Sequence, residues 1–165
     1  MTVDKSIILN RAFLHYYGGE VTKALSFVNR TYEEVNKTGE GKHLLTTTTL
    51  MLAQIHFIKR NYQKALELYK KCLEISKTLP TKARLGMAYS FFYLGKYELA
   101  RACFQRIIKL DPSCTEAYVG IAVVYDKEEN YMEYFRHISA AYKVNRQHPL
   151  VLIHLSEHFL LRGDL

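Results

Sequence analysis

Tryptophan is absent from this chain of 165 residues, and proline is scarce at three. Eight glycines and three prolines leave few interruptions, which suits long helices. Cys72, Cys103 and Cys114 are odd in number and show no C-x-x-C spacing. Neither a disulfide framework nor a paired-thiol metal ribbon can be built from them, and reduced, buried thiols in a cytosolic or nuclear protein are the simplest reading. No apolar run is long enough to span a bilayer, so no membrane partner is expected. The short apolar start is interrupted by Asn10 and Arg11, unlike a signal peptide. No block of five like charges occurs, so neither a nuclear-localisation run nor a basic arm is visible. No convincing strand precedes a glycine-rich phosphate loop, and no Ser/His/Asp or Cys/His nucleophile set can be placed. The chain is expected to be no enzyme and to carry no cofactor and no metal.

Against these absences stand a 48% hydrophobic content, enough for a packed core, and a net charge of +7 with a pI near 9.2. That charge is compatible with an acidic partner or nucleic acid, but the basic residues are scattered. The most regular stretch runs from Ala83 to Pro112. Apolar residues recur there at three- and four-residue spacing on both sides of Gly95, the pattern of two amphipathic helices joined by a tight turn. Asp111-Pro112 closes it.

The pattern returns. Tyr62, Tyr97 and Tyr131 are spaced 35 and 34 apart; Ala65, Ala100 and Tyr134 keep that stride, as do Tyr69, Phe104 and Ile138. Ala53, Ala88, Ala122 and Ser156 continue it through the first helix of each pair. A helix-turn-helix unit of about 34 residues resembles the tetratricopeptide repeat. The match includes Ala88, Phe91, Gly95, Tyr97, Ala100, Phe104 and Pro112, with Arg84 where that family usually has tryptophan. The expected fold is all-α: a right-handed tetratricopeptide-repeat solenoid of about four helix pairs plus one extra helix. Residues 1–165 are read as a single array, with units of about 5–45, 46–80, 81–114 and 115–148 and a partial unit at 149–165. The alternative is an ordinary helical bundle with coincidental spacing.

Local signals sharpen the expectation. Asp4 is placed to cap a helix starting near Lys5, and Gly18-Gly19 to make the first turn. Asn36 to Lys42 reads as a polar loop. Four successive threonines are poor helix formers, so the next helix is expected to start late, capped by Thr46 or Thr47. Glu67 and Lys71 are spaced for an exposed ion pair, and Pro80 closes the second unit. Ser113 to Glu116 has capping-box spacing. Glu128-Glu129-Asn130 marks a turn, and His148-Pro149 starts the last helix. Pro149 to Leu161 is apolar on more than one face, which suggests a piece of a longer array.

In stacked helix pairs the first helices line the concave side. By the family's pattern, the inward positions are Leu9, Phe13, Tyr16 and Tyr17, then Thr47, Leu50, Gln54, Phe57 and Ile58. Lys82, Leu85, Tyr89, Phe92 and Tyr93 follow, then Glu116, Val119, Val123, Asp126 and Lys127. The lining is mostly aromatic and aliphatic, a trough for an extended or helical segment of another protein with tyrosines as anchors. The alternative is that these residues are buried against the superhelix itself. A clamp for an acidic C-terminal peptide, as in co-chaperone members of the family, lacks its carboxylate-binding residues: Leu9, Phe13 and Gly86 stand at three of those positions. His154-Leu155-Ser156-Glu157-His158 spells an inverted zinc-protease string, yet no third ligand is in view and Ser156 fits the repeat.

A narrower resemblance rests on Ala83 to Met87, on Glu116 to Val124 and on His148 to Phe159, preceded by Asn61 to Ser76. In this order they are similar to the tetratricopeptide subunit family of the RNA polymerase II-associated Paf complex, over residues 50–165. The resemblance implies a nuclear scaffold whose partners are Paf complex subunits, with the polymerase reached indirectly, acting in transcription elongation and linked histone modification. The other readings are an adaptor of another assembly or co-chaperone type, and a basic helical domain that binds nucleic acid.

Overall fold

The computed structural model describes residues 5–39, 41–76 and 81–162. Among the described residues there are nine α-helices and no strand: α1 (Lys5–Tyr17), α2 (Val21–Thr38), α3 (Lys42–Ile58), α4 (Tyr62–Ile75), α5 (Thr81–Tyr93), α6 (Tyr97–Leu110), α7 (Thr115–Lys127), α8 (Tyr131–Val144) and α9 (Pro149–Arg162). The expected all-α helix-pair repeat is the observed fold. The chain divides into two compact units, Met1–Ser90 and Phe91–Leu165, the boundary falling within α5.

The 34-residue stride is a burial stride. In the first helices Ala12, Ala53, Ala88 and Ala122 are fully buried. A methyl is the largest group that fits where the helices of a pair approach. In the second helices one face buries the triplets Ala24-Val28-Thr31, Ala65-Tyr69-Cys72, Ala100-Phe104-Ile107 and Tyr134-Ile138-Ala141, each at spacing four then three. Each large apolar member contributes about 1.5–3 kcal/mol by leaving water.

Two glycines inside helices have a second task. A Cβ on Gly86 would lie 2.3 Å from the ring of Tyr69, and one on Gly120 would lie 2.4 Å from the ring of Phe104. The aromatic of α4 therefore seats on bare backbone in α5, and that of α6 on bare backbone in α7.

Each turn between paired helices is made by a residue with positive φ: Gly19 at 80°, Arg60 at 60°, Gly95 at 72° and Glu129 at 56°. Side chains pay about 1 kcal/mol for that conformation. At the two positions without glycine an asparagine follows and caps the next helix. Asn61 Oδ1 accepts from the Lys64 amide at 3.4 Å, and Asn130 Oδ1 from the Glu133 amide at 3.3 Å. After the glycines, Glu20 and Lys96 provide no side-chain cap.

Several local expectations are corrected. The threonines do not delay α3, which starts at Lys42. Thr46, Thr47, Thr48 and Thr49 donate their hydroxyls to the carbonyls of Lys42, His43, Leu44 and Leu45, so the polar atoms are satisfied inside the helix. The polar stretch from Asn36 is mostly helix, because α2 runs to Thr38 and ends on left-handed Gly39. Ser113 makes no capping box: its hydroxyl and amide both bond Asp111 Oδ1, at 2.6 and 3.2 Å, and Cys114 provides no side-chain cap for α7. Glu67 pairs with Lys64 at 3.2 Å rather than with Lys71, whose ammonium reaches the Tyr32 hydroxyl and lies over that ring. The caps and stops assigned to Asp4 and Pro80 lie outside the described residues.

Candidate interaction surface

In the first unit, the residues expected to face inward lie on α1, α3 and most of α5. Phe13 and Tyr16 are half-buried against the core that also holds Leu50 and Phe57. Tyr17 is 80% exposed, stacks on Phe13 with centroids 6.5 Å apart, and meets the edge of Tyr16 at 5.3 Å. Burial and the neighbouring Tyr17 push the Tyr16 phenol above its ordinary value. Phe57 packs edge-on against Tyr62 at 5.4 Å, and Ile58 is 51% exposed. Gln54, Leu85 and Tyr89 are half-buried and Lys82 is exposed.

In the second unit, Phe92 is half-buried between Tyr93 and Tyr97, at 5.3 and 5.6 Å, and Tyr93 is 53% exposed. Val123 packs partly buried against the α7–α8 core. Two expected lining residues belong to the cores instead. Leu9 and Val119 are 4% and 2% exposed, so a guest would not reach them. Their inward positions lie at the edge of the helix stripe that also holds Ala12 and Ala122, and the pair interface covers them.

A periodicity emerges from these exposures. Tyr17, Ile58 and Tyr93 occupy the same position of successive repeats, the last residue of each first helix, and each keeps half or more of its surface in solvent. The preceding Tyr16, Phe57 and Phe92 are half-buried. The fourth repeat breaks the pattern with exposed Asp126 and Lys127.

The zinc-like string resolves differently. His154 Nδ1 is 3.0 Å from the Tyr134 hydroxyl and 3.8 Å from Glu157. Burial, with Asp126 and Glu157 nearby, raises the Tyr134 phenol to about 12. Among the described residues no group of three His, Cys, Asp or Glu side chains could hold a metal ion. Sequence reasoning missed this Tyr–His bridge. The signal was Tyr134 itself, standing where Ala65 and Ala100 stand in earlier repeats. All three cysteines are free thiols; Cys72 is fully buried and burial pushes it up to about 12, which makes it a poor nucleophile.

The +7 charge is not spread evenly. Residues 1–90 carry fourteen Lys and Arg against seven Asp and Glu, and residues 91–165 carry nine against nine. Several first-unit cations are engaged: Lys23 with Glu20, Arg30 with Glu34, Lys64 with Glu67, Lys71 with Tyr32 and Arg11 over Phe27. That weakens the case for a nucleic-acid track. No helix among the described residues is long and apolar enough to cross a membrane.

Comparison with known proteins agrees with the helix-pair geometry. Two family models, both described as Tetratricopeptide repeat, match residues 4–78 and 81–114. RNA polymerase-associated protein CTR9 of Saccharomyces cerevisiae is 23% identical over 167 residues, covering 92% of this chain and 16% of that protein. Protein CTR9 homolog of Arabidopsis thaliana is 28% identical over 116 residues, covering 68% of this chain and 10% of that protein. The chain thus spans a small fraction of the length of these relatives. The solved structure "MamA RS-1 ArsTM double mutant" superposes with a TM-score of 0.75 at 16% identity, covering 99% of this chain and 88% of that one, a likeness of fold.

Proposed function

The chain belongs to the tetratricopeptide-repeat family, and from that premise we propose that it is a non-enzymatic scaffold holding an extended or helical segment of a partner protein along its first helices. The partners are subunits of the Paf complex, and the setting is nuclear RNA polymerase II elongation with its linked histone modification. Residues 5–148 act as one array of four units, with 149–165 beginning a fifth.

The carrying observation is the recurrence of a large exposed apolar side chain next to a half-buried aromatic at the end of three first helices: Tyr17 after Tyr16, Ile58 after Phe57, Tyr93 after Phe92. Single exposed apolar residues are ordinary on any surface. Their return at one repeat position is what a guest chain needs, since it can be gripped once per repeat by a ring already held in place. The similarity to the CTR9 proteins supports the choice of partner.

The test is affinity purification of the tagged chain from its own cells, scored for polymerase-associated proteins against chaperones. Paf subunits should co-purify, and the triple variant Tyr17→Ser, Ile58→Ser, Tyr93→Ser should lose them at least tenfold with its helical circular dichroism intact. Undiminished recovery with the variant rejects the first-helix trough. Recovery of chaperones in place of polymerase-associated proteins favours the adaptor reading.

A further inference from the structure

The second unit carries another surface, set apart from the first-helix stripe. An open depression of about 450 Å³ lies between α6 and α8, walled by Gln105, Ile108 and Lys109 on one side and His137 on the other, with Tyr118 and Ile121 of α7 beneath. Around the α7 axis, Tyr118 and Ile121 sit roughly 140° from the Val119–Val123–Asp126 stripe at 100° per residue. The two surfaces therefore use different faces of the same helix. A second depression of about 450 Å³ shares Gln105 and Lys109 and extends along α6 past Arg106 to Leu110, which is 61% exposed.

The charge around this double depression is one-sided, although the unit as a whole is balanced. Lys109 and His137 line the α6–α8 depression, Arg106 and Lys109 line its neighbour along α6, and no carboxylate lines either. Arg106 and Lys109 stand three apart on α6, both exposed, and neither forms an ion pair among the described residues. Other arginines of the same second helices form ion pairs: Arg101 with Glu98 and Glu128, Arg136 with Glu133. The nearest acid is Glu133, whose carboxylate lies 3.3 Å from Arg136 and 3.8 Å from His137 Nδ1, the same nitrogen that stands 2.9 Å from the Glu133 backbone carbonyl. Half-buried Ile108 and Tyr118 supply an apolar floor, and Ile121 seals it from below.

We infer that the α6–α8 depression is a second docking site, taking a short acidic peptide segment that places one or two large apolar side chains over Ile108 and Tyr118, a carboxylate against Lys109, and a further carboxylate against Arg106 where the chain continues into the neighbouring depression along α6. Uncompensated cations beside an apolar floor select that chemistry: the floor gives area, and the rim cations reject basic sequences. The volume fits two or three side chains, which makes this a peptide site rather than a domain interface.

The probe is an acetylated hexapeptide with leucine and phenylalanine at its centre and two acidic residues on each side, titrated into the isotope-labelled full chain at low salt and followed by NMR. Shifts are expected at Ile108, Tyr118 and His137, with affinity falling as salt rises. The double variant Arg106→Glu, Lys109→Glu alters only exposed side chains. It should keep the helical signal, lose the acidic peptide at least tenfold, and gain the version with lysines in place of the acids. Equal binding of both peptides by the unaltered chain would overturn the inference, as would shifts at Tyr16 and Tyr89 instead, or none at millimolar peptide. The triple variant at Tyr17, Ile58 and Tyr93 should bind the hexapeptide normally, so the two surfaces fail or survive separately.

Discussion

The two units share an interior and differ in their surfaces. Each holds one aromatic seated on a helix glycine, Tyr69 on Gly86 in the first and Phe104 on Gly120 in the second. Each has one glycine turn and one left-handed non-glycine turn, Gly19 and Arg60 in the first, Gly95 and Glu129 in the second. Outside, the first unit carries the whole excess of positive charge and the second carries none. In the first unit α1 and α3 end on exposed Tyr17 and Ile58; in the second, α5 ends on Tyr93 but α7 on Asp126 and Lys127. Packing within a repeat restricts the interior to a few shapes, while solvent tolerates many surfaces. What distinguishes this array from others of its fold is therefore written outside the shared core.

The largest expected effect tests the shared interior. Phe104→Ala removes a fully buried ring and should cost about 3–5 kcal/mol in urea unfolding. Tyr69→Ala should cost a comparable amount, and a loss under 1 kcal/mol at either site would break the equivalence. Next come the glycines that receive those rings. Gly120→Ala should cost about 1–3 kcal/mol, because its Cβ meets the edge of a fully buried ring. Gly86→Ala should cost less, since it meets the phenol end of Tyr69.

The turns give a smaller and signed effect. Nothing lies within 4 Å of a Cβ placed on Gly95, so Gly95→Ala measures backbone strain alone and should cost about 1 kcal/mol. Glu129→Gly should gain about 0.5–1 kcal/mol by relieving the same strain. A gain at Gly95 or a loss at Glu129 would separate the turns that the geometry makes alike.

An effect that is absent at neutral pH and emerges only in alkali concerns an interior difference. Cys72 stands where the second unit has Ile107 and Ala141. Its thiol rises from an ordinary 9.0 to about 12 on folding, so the fold holds the neutral form. The stabilisation is complete below pH 9 and is lost as the pH climbs toward about 12, because the unfolded chain then releases a proton the folded one keeps. Cys72→Ala should flatten the decline of the urea midpoint across that window. An unchanged slope would assign the decline to other groups, such as the buried phenol of Tyr69, which burial also raises.

Much of the fold was legible because spacing encodes it. Ala88, Ala100 and Phe104 recur at a stride that only stacked helix pairs require, and Gly95 marks its turn openly. The misreadings came where a side chain satisfies backbone in a way that composition hides. Thr46 to Thr49 look like helix breakers in sequence and act as helix members once their hydroxyls bond the preceding turn. Arg60 and Glu129 give no warning of positive φ; the following Asn61 and Asn130 were the available clue. For the residues expected to face inward, the spacing did not carry the depth of each. Leu9 and Val119 share the pattern of their neighbours and differ in what the paired helix covers. The α6–α8 depression left no mark in sequence, because its basic residues and its floor come from three helices.

The seat that Gly86 and Gly120 provide also governs which repeats can follow one another. Counting on by the same 34 residues arrives at His154, whose imidazole meets the Tyr134 hydroxyl of α8. Excising residues 81–114 would bring Tyr69 to Gly120, a joint that closes. Excising 115–148 would drive Phe104 against His154, a joint that cannot. The sequence of modules is thus keyed at their seams, and shuffling them is permitted only where a ring finds a vacancy.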